Sequence, residues 1–193
     1  RRRRYLPRMI LRLALGGILL WPAAILAQEA GSAPIYSDYG RVLEAYVVDG
    51  RVDYALLKGA DPPEWRRFLE WLDASRPDAW SVEERRAFWI NAYNARVIQG
   101  VLDHYPISSV RDVGYFGGRF RGFFSRRDHP VAGRRRTLDE IEAKLLRPPL
   151  FDDRIHWALN CGSEGCPRLR AEPYRAGMLD TQLDFQARTY LNG

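Results

Sequence analysis

The chain has 193 residues, 30 Lys and Arg against 24 Asp and Glu, and a formal net charge of +6. Six of those Arg lie within the first twelve positions, which leaves 24 basic residues facing the 24 acidic ones, so the excess charge does not argue for a nucleic-acid partner. With that terminal segment set aside, the length suits one domain with a core, and no repeat or low-complexity tract suggests a fibrous or disordered protein.

Arg1 to Arg4, Arg8 and Arg12 form a basic start, and no acidic residue precedes Glu29. An apolar stretch follows from Leu13 to Leu26, with small residues at Ala24 and Ala27. These are the three parts of a secretory leader, expected over residues 1–27. Gly16, Gly17 and Pro22 interrupt the apolar run, which is shorter than the ~18 residues that a spanning helix needs. No stable membrane span is therefore expected once the leader is removed. Arg2-Arg3-Arg4-Tyr5-Leu6 resembles a twin-arginine export signal, although ordinary export signals are also Arg-rich. The expected location is periplasmic or secreted.

Residues 28–38 read as a linker, and residues 39–193 as a single domain. Asp49-Gly50 between β-favouring residues predicts a two-residue hairpin. Trp65, Phe68, Leu69 and Leu72 fall at helical spacing within Pro62 to Ala74. Ser81 and Glu84 form a capping box for a helix that Pro106 stops after Tyr105. Thr137 and Glu140 form a second one. Arg111 to Arg136, with eight Arg and interleaved aromatics, reads as loops and short strands: a solvated hairpin, or a patch for an anion. Alternation over Arg154 to Asn160 predicts a buried strand carrying His156, and a last helix is expected over Arg175 to Leu191. The fold class is α+β, with helices packed on a small, mostly antiparallel sheet.

Chemistry concentrates where the His156 strand would end. The only two Cys lie in Asn160-Cys161-Gly162-Ser163-Glu164-Gly165-Cys166-Pro167, a sequence built for a tight turn. In an oxidising compartment two nearby Cys commonly pair, so Cys161 and Cys166 read as a disulfide staple. Alternatively Cys161 is a nucleophile, with His156 taking its proton and Asn160 orienting the imidazole. Zinc held by His156, Cys161 and Cys166 lacks an evident fourth ligand. Thiol–disulfide exchange is disfavoured because the pair is not C-x-x-C. Asn91 and Asn94 are poor helix formers in mid-helix and share a face. They either satisfy loop backbone or form, with Ser163, a polar wall of a binding pocket. His104 suits the last turn of its helix, and His129 reads as a solvated loop residue.

Phe88-Trp89-Ile90-Asn91-Ala92-Tyr93-Asn94-Ala95, Asp153 to Ser163 and Cys166-Pro167 together resemble the family catalogued as domain of unknown function 547. Val52-Asp53-Tyr54, Thr137 to Arg147 and the segment Leu179 to Leu191 fit the same pattern, with Ala143 where members often have His. The resemblance implies an exported bacterial protein, commonly longer than this chain, and assigns no reaction. Two functions are therefore carried forward. One is thiol-dependent hydrolysis or acyl transfer on a peptide or protein through Cys161 and His156. The other is a non-catalytic module, stapled by Cys161 and Cys166, that holds a cell-envelope peptide, protein or anionic glycan. No cofactor is expected on either reading, since nothing suggests a nucleotide, haem or flavin site.

Overall fold

The computed structural model describes residues 36–113, 122–147, 150, 152–163 and 165–192. The expected leader, most of the expected linker, and Tyr115, Phe116 and Phe120 of the Arg-rich segment lie outside these residues. No described helix is long and apolar enough to cross a membrane.

Helix α1 covers residues 36–46, so it includes the last three positions of the segment read as linker. The hairpin of β1 (Val47–Val48) and β2 (Arg51–Val52) follows, with Val47 opposite Val52 and Val48 opposite Arg51. Both turn residues take positive φ, 50° at Asp49 and 74° at Gly50, as the Asp-Gly pair demands. Gly50 is needed for a second reason. A Cβ there would lie 2.4 Å from the Cβ of Arg168, which packs over the turn. Gly50→Ala therefore combines a disfavoured backbone with a backbone-side clash, and should destabilise by about 1–3 kcal/mol in urea denaturation.

Helices α2 (Tyr54–Ala60) and α3 (Pro63–Ala74) come next. The apolar spacing of α3 buries Trp65, Phe68 and Leu72. Helix α4 (Val82–His104) is the axis of the molecule. Its capping box is complete: Ser81 Oγ accepts from Glu84 N at 3.2 Å and Glu84 Oε2 accepts from Ser81 N at 2.9 Å. Every residue from Ala87 to Ile98 is buried, so this helix is enclosed on all sides. Aromatic rings from α1, α3 and α4 form a continuous group, with Tyr39 stacked on Phe68 at 4.2 Å and Trp80 edge-on to Phe88 at 5.3 Å.

A second hairpin, β3 (His129–Val131) and β4 (Arg134–Arg136), caps the end of α3: Ala132 N donates to Leu72 O and Gly133 N to Asp73 O. Its first residue corrects an expectation. His129 is 7 % exposed rather than solvated, because β3 folds inward over α4 and its Gly100. Three of the described arginines of this segment are engaged within the fold. Arg126 pairs with Asp128, Arg127 with Glu140, and the Arg136 guanidinium lies 5.1 Å from the centre of the Trp89 ring.

Helix α5 (Leu138–Glu140) starts on Thr137 Oγ1, which accepts from Glu140 N at 2.8 Å, and widens into a π-helical stretch, Ile141–Leu146. The expected strand over Arg154 to Asn160 is instead a 3-10 helix, Asp153–Ala158. Asp152 caps it by accepting from Arg154 N, and the buried residues Ile155 and Ala158 follow a period of three rather than two. Arg154 then pairs with Asp152, Asp180 and Asp184, which ties this turn to helix α6 (Leu179–Asn192). The class is α+β, and among the described residues the strands form two separate two-stranded antiparallel sheets.

Candidate functional site

The segment from Ala158 to Leu169 has little regular structure, and side chains of α4 hold it in place. Asn94 of α4 is 2 % exposed; its Nδ2 donates to Ala158 O at 2.9 Å and its Oδ1 accepts from Asn160 N at 2.9 Å. One amide thus satisfies both polar groups of a passing backbone, as a neighbouring strand would. Asn91, one turn earlier and 1 % exposed, does the same for Tyr174: Nδ2 donates to its carbonyl at 2.8 Å and Oδ1 accepts from its N–H at 2.9 Å. The two residues that looked misplaced in a helix are clamps for the loops that precede α6.

Asn160 continues the chain of amides. Its Nδ2 donates to Pro167 O at 2.8 Å, closing the Cys turn, and its Oδ1 accepts from Gly162 N at 2.9 Å in an Asx turn. Gly162 takes φ 74° there. Cys166 N donates to Ser163 O at 3.1 Å. Inside this turn Cys161 and Cys166 form a disulfide, with their Cα atoms 5.8 Å apart. Ser163 Oγ lies 3.4 Å from Cys161 Sγ and 3.1 Å from Cys166 Sγ. Bridged sulfurs carry no proton, so the Ser163 hydroxyl is the donor to them.

The turn forms one wall of a cleft of about 670 Å³. The hairpin of β1 and β2 supplies the second wall through Gly50, Arg51 and Val52, with Tyr54 just beyond, and α6 supplies the third through Gln186, Thr189 and Tyr190. The walls are joined by hydrogen bonds. Leu169 N donates to Gly50 O at 3.0 Å, Arg168 Nη1 to Asp49 O at 2.6 Å, Gln186 Nε2 to Arg168 O, and Tyr190 Oη to Gly165 O at 3.3 Å. Burial pushes the Tyr54 phenol up to about 12, so it stays protonated.

His156 is not part of this cleft. It is exposed on the 3-10 helix, edge-on to Trp157 at 4.9 Å, and it lines a separate cavity of about 340 Å³ with Glu142, Asp152 and Asp153. The two cavities share no lining residue, and His156 makes no hydrogen bond to Cys161. Asn91 and Asn94 line neither. Among the sequence-derived candidates the fold therefore gathers Asn160, Cys161, Ser163 and Cys166, and sets His156 apart. No group of His, Cys, Asp and Glu suited to a metal occurs among the described residues. Sequence reasoning missed Arg51, Tyr54, Arg168 and Tyr190. Only the Asp-Gly turn next to Arg51 and the Cys-Pro step next to Arg168 marked their neighbourhood.

A family model described as "Protein of unknown function, DUF547" matches residues 77–191. No curated protein and no solved structure matches the chain.

Proposed function

The chain belongs to the DUF547 family, whose description names no activity, and from its site we propose a non-catalytic binding module that works outside the cytoplasm, in the cell envelope or beyond. One observation carries this reading. The cleft is bounded by a Cys161–Cys166 disulfide, and the one imidazole near that turn in sequence opens on a different cavity. A thiol nucleophile needs a free sulfur and an adjacent base, and neither is in place. Two of the turn amides that could receive an oxyanion are also engaged: Gly162 N by Asn160 and Cys166 N by Ser163 O. The basic and apolar start of the sequence supports export, as does a disulfide in a chain with two Cys.

The competing reading is hydrolysis or acyl transfer on a peptide or protein by Cys161, with His156 as base. The two diverge in a thiol count. Protein isolated from an oxidising compartment is alkylated under denaturing conditions, with and without reductant, and weighed. Both thiols should appear only after reduction. Replacing both residues, Cys161→Ala with Cys166→Ala, should lower stability by about 2 kcal/mol, the chain-entropy value for so short a loop, and leave the fold intact. Alkylation of Cys161 without reductant, together with electrophile labelling that Cys161→Ala abolishes, would overturn the binding reading in favour of the enzyme.

A further inference from the structure

We infer that the cleft takes the carboxyl-terminal end of a peptide, its carboxylate held by Arg51 and Arg168. The inference rests on the binding reading above and adds the chemistry of the ligand.

The two guanidinium groups differ from the ion-paired arginines of this fold. Arg67, Arg126, Arg127, Arg147, Arg154 and Arg170 each pair with a carboxylate. Arg51 is exposed in the cleft wall and has no acidic partner among the described residues. Arg168 donates one N–H to the Asp49 carbonyl, which positions the side chain, and it has no acidic partner among the described residues. No Asp or Glu is among the described residues that line the cleft. Arg168 is fixed against the same two-residue turn that Arg51 follows, and both residues line the cleft. Planar N–H forks of this kind match the two oxygens of a carboxylate.

The rest of the lining favours a peptide over a sugar acid. Asn160 has both amide atoms engaged on backbone and Gln186 Nε2 donates to Arg168 O, which leaves the cleft few amide groups for sugar hydroxyls. Tyr190 is stacked on Trp157 at 4.5 Å and its hydroxyl is bound to Gly165 O, so it forms a wall. Val52 and Leu169 add aliphatic surface for the side chain next to the carboxylate. The Tyr54 hydroxyl has no hydrogen-bond partner among the described residues and can bond the preceding peptide group. The volume falls within the range of small-ligand sites, roughly 300–1,000 Å³.

The test is an NMR titration of the isotope-labelled, folded chain with three probes: N-acetyl-leucine, N-acetyl-leucinamide and glucuronic acid. N-acetyl-leucine should shift the amide signals of residues 50–54 and of Gly165, Cys166, Arg168 and Leu169, and bind at least about ten-fold more tightly than the other two. Arg51→Gln and Arg168→Gln should each reduce that affinity about ten-fold, with the remaining spectrum unchanged as a check on folding. Equal affinity for the acid and its amide, or tightest binding of glucuronic acid, would overturn the peptide-carboxylate inference while the cleft stands as a binding site. Cleft signals that respond to none of the three would remove the binding reading with it.

Discussion

Asn94→Ala should lower the stability of the domain by about 2–5 kcal/mol. The reason is the number of groups left without a partner. Removing the amide strands the carbonyl of Ala158 and the N–H of Asn160 where water has poor access, since Asn94 itself is 2 % exposed. Each abandoned buried group costs about 1–3 kcal/mol, and the side chain is too far inside for a simple rotamer change to restore the bonds. The damage should also reach the cleft, because Asn160 sets the Cys turn through Gly162 N and Pro167 O. Asn94→Asp sharpens the test. A carboxylate can still accept from Asn160 N, but its second oxygen would face the oxygen of Ala158. Protonation turns that oxygen into a donor, so the loss should be large at neutral pH and smaller as the pH falls, opposite to the trend of an ordinary surface carboxylate. Urea denaturation at several pH values, read at constant m-value, measures both effects. A loss below about 1 kcal/mol for the alanine variant would mean that the loop does not depend on the clamp.

The same residues show how far sequence reasoning reached. The Asp-Gly hairpin, the Ser81 capping box and the apolar stripe of α3 follow from local chemistry, and local chemistry sufficed to place them. Asn91 and Asn94 stood out because asparagine is disfavoured in mid-helix, but what they do depends on segments more than sixty residues away. The stretch from Arg154 to Asn160 misled for the converse reason. Its alternation of apolar residues fits a strand, whereas the Asp152 cap and the ion pairs of Arg154 to α6 select a 3-10 turn. With that change of period His156 lines a different cavity from the one that the Cys turn borders. The cleft itself joins a hairpin near residue 50 to a turn near residue 165 and to the last helix, and no local pattern encodes such a meeting. Arg51 and Arg168 carry no signal in isolation; what sets them apart is that both line one cleft and neither has an acidic partner among the described residues.

His129 should make stability fall as the pH is lowered from about 6.5 to about 4, by roughly 3 kcal/mol in total. Burial in β3 pushes its imidazole from 6.5 down to about 4, and the nearby Arg96 guanidinium pushes the same way. Arg126 adds to the depression, while Asp128 and Asp103 oppose it. Arg96 cannot move aside easily, since it is 4 % exposed and its guanidinium is held by the carbonyls of Leu69 and Pro130. Above pH 6.5 the imidazole is neutral in both folded and unfolded chains and contributes nothing. Between 6.5 and 4 the unfolded chain takes up a proton that the folded chain refuses, so acidification favours unfolding. Below about 4 both forms are protonated and the loss levels off. By pH 5.5 the expected loss is about 1.4 kcal/mol, reached before most carboxylates begin to titrate. The comparison to make is therefore between wild type and His129→Gln, by denaturation from pH 7.5 to 5.5. The variant removes the protonation and keeps an amide of similar size, so the difference between the two curves isolates this residue from the other histidines. A difference that stays constant across the window would show that His129 takes up its proton as readily in the folded chain as in the unfolded one, and that β3 does not hold it away from water.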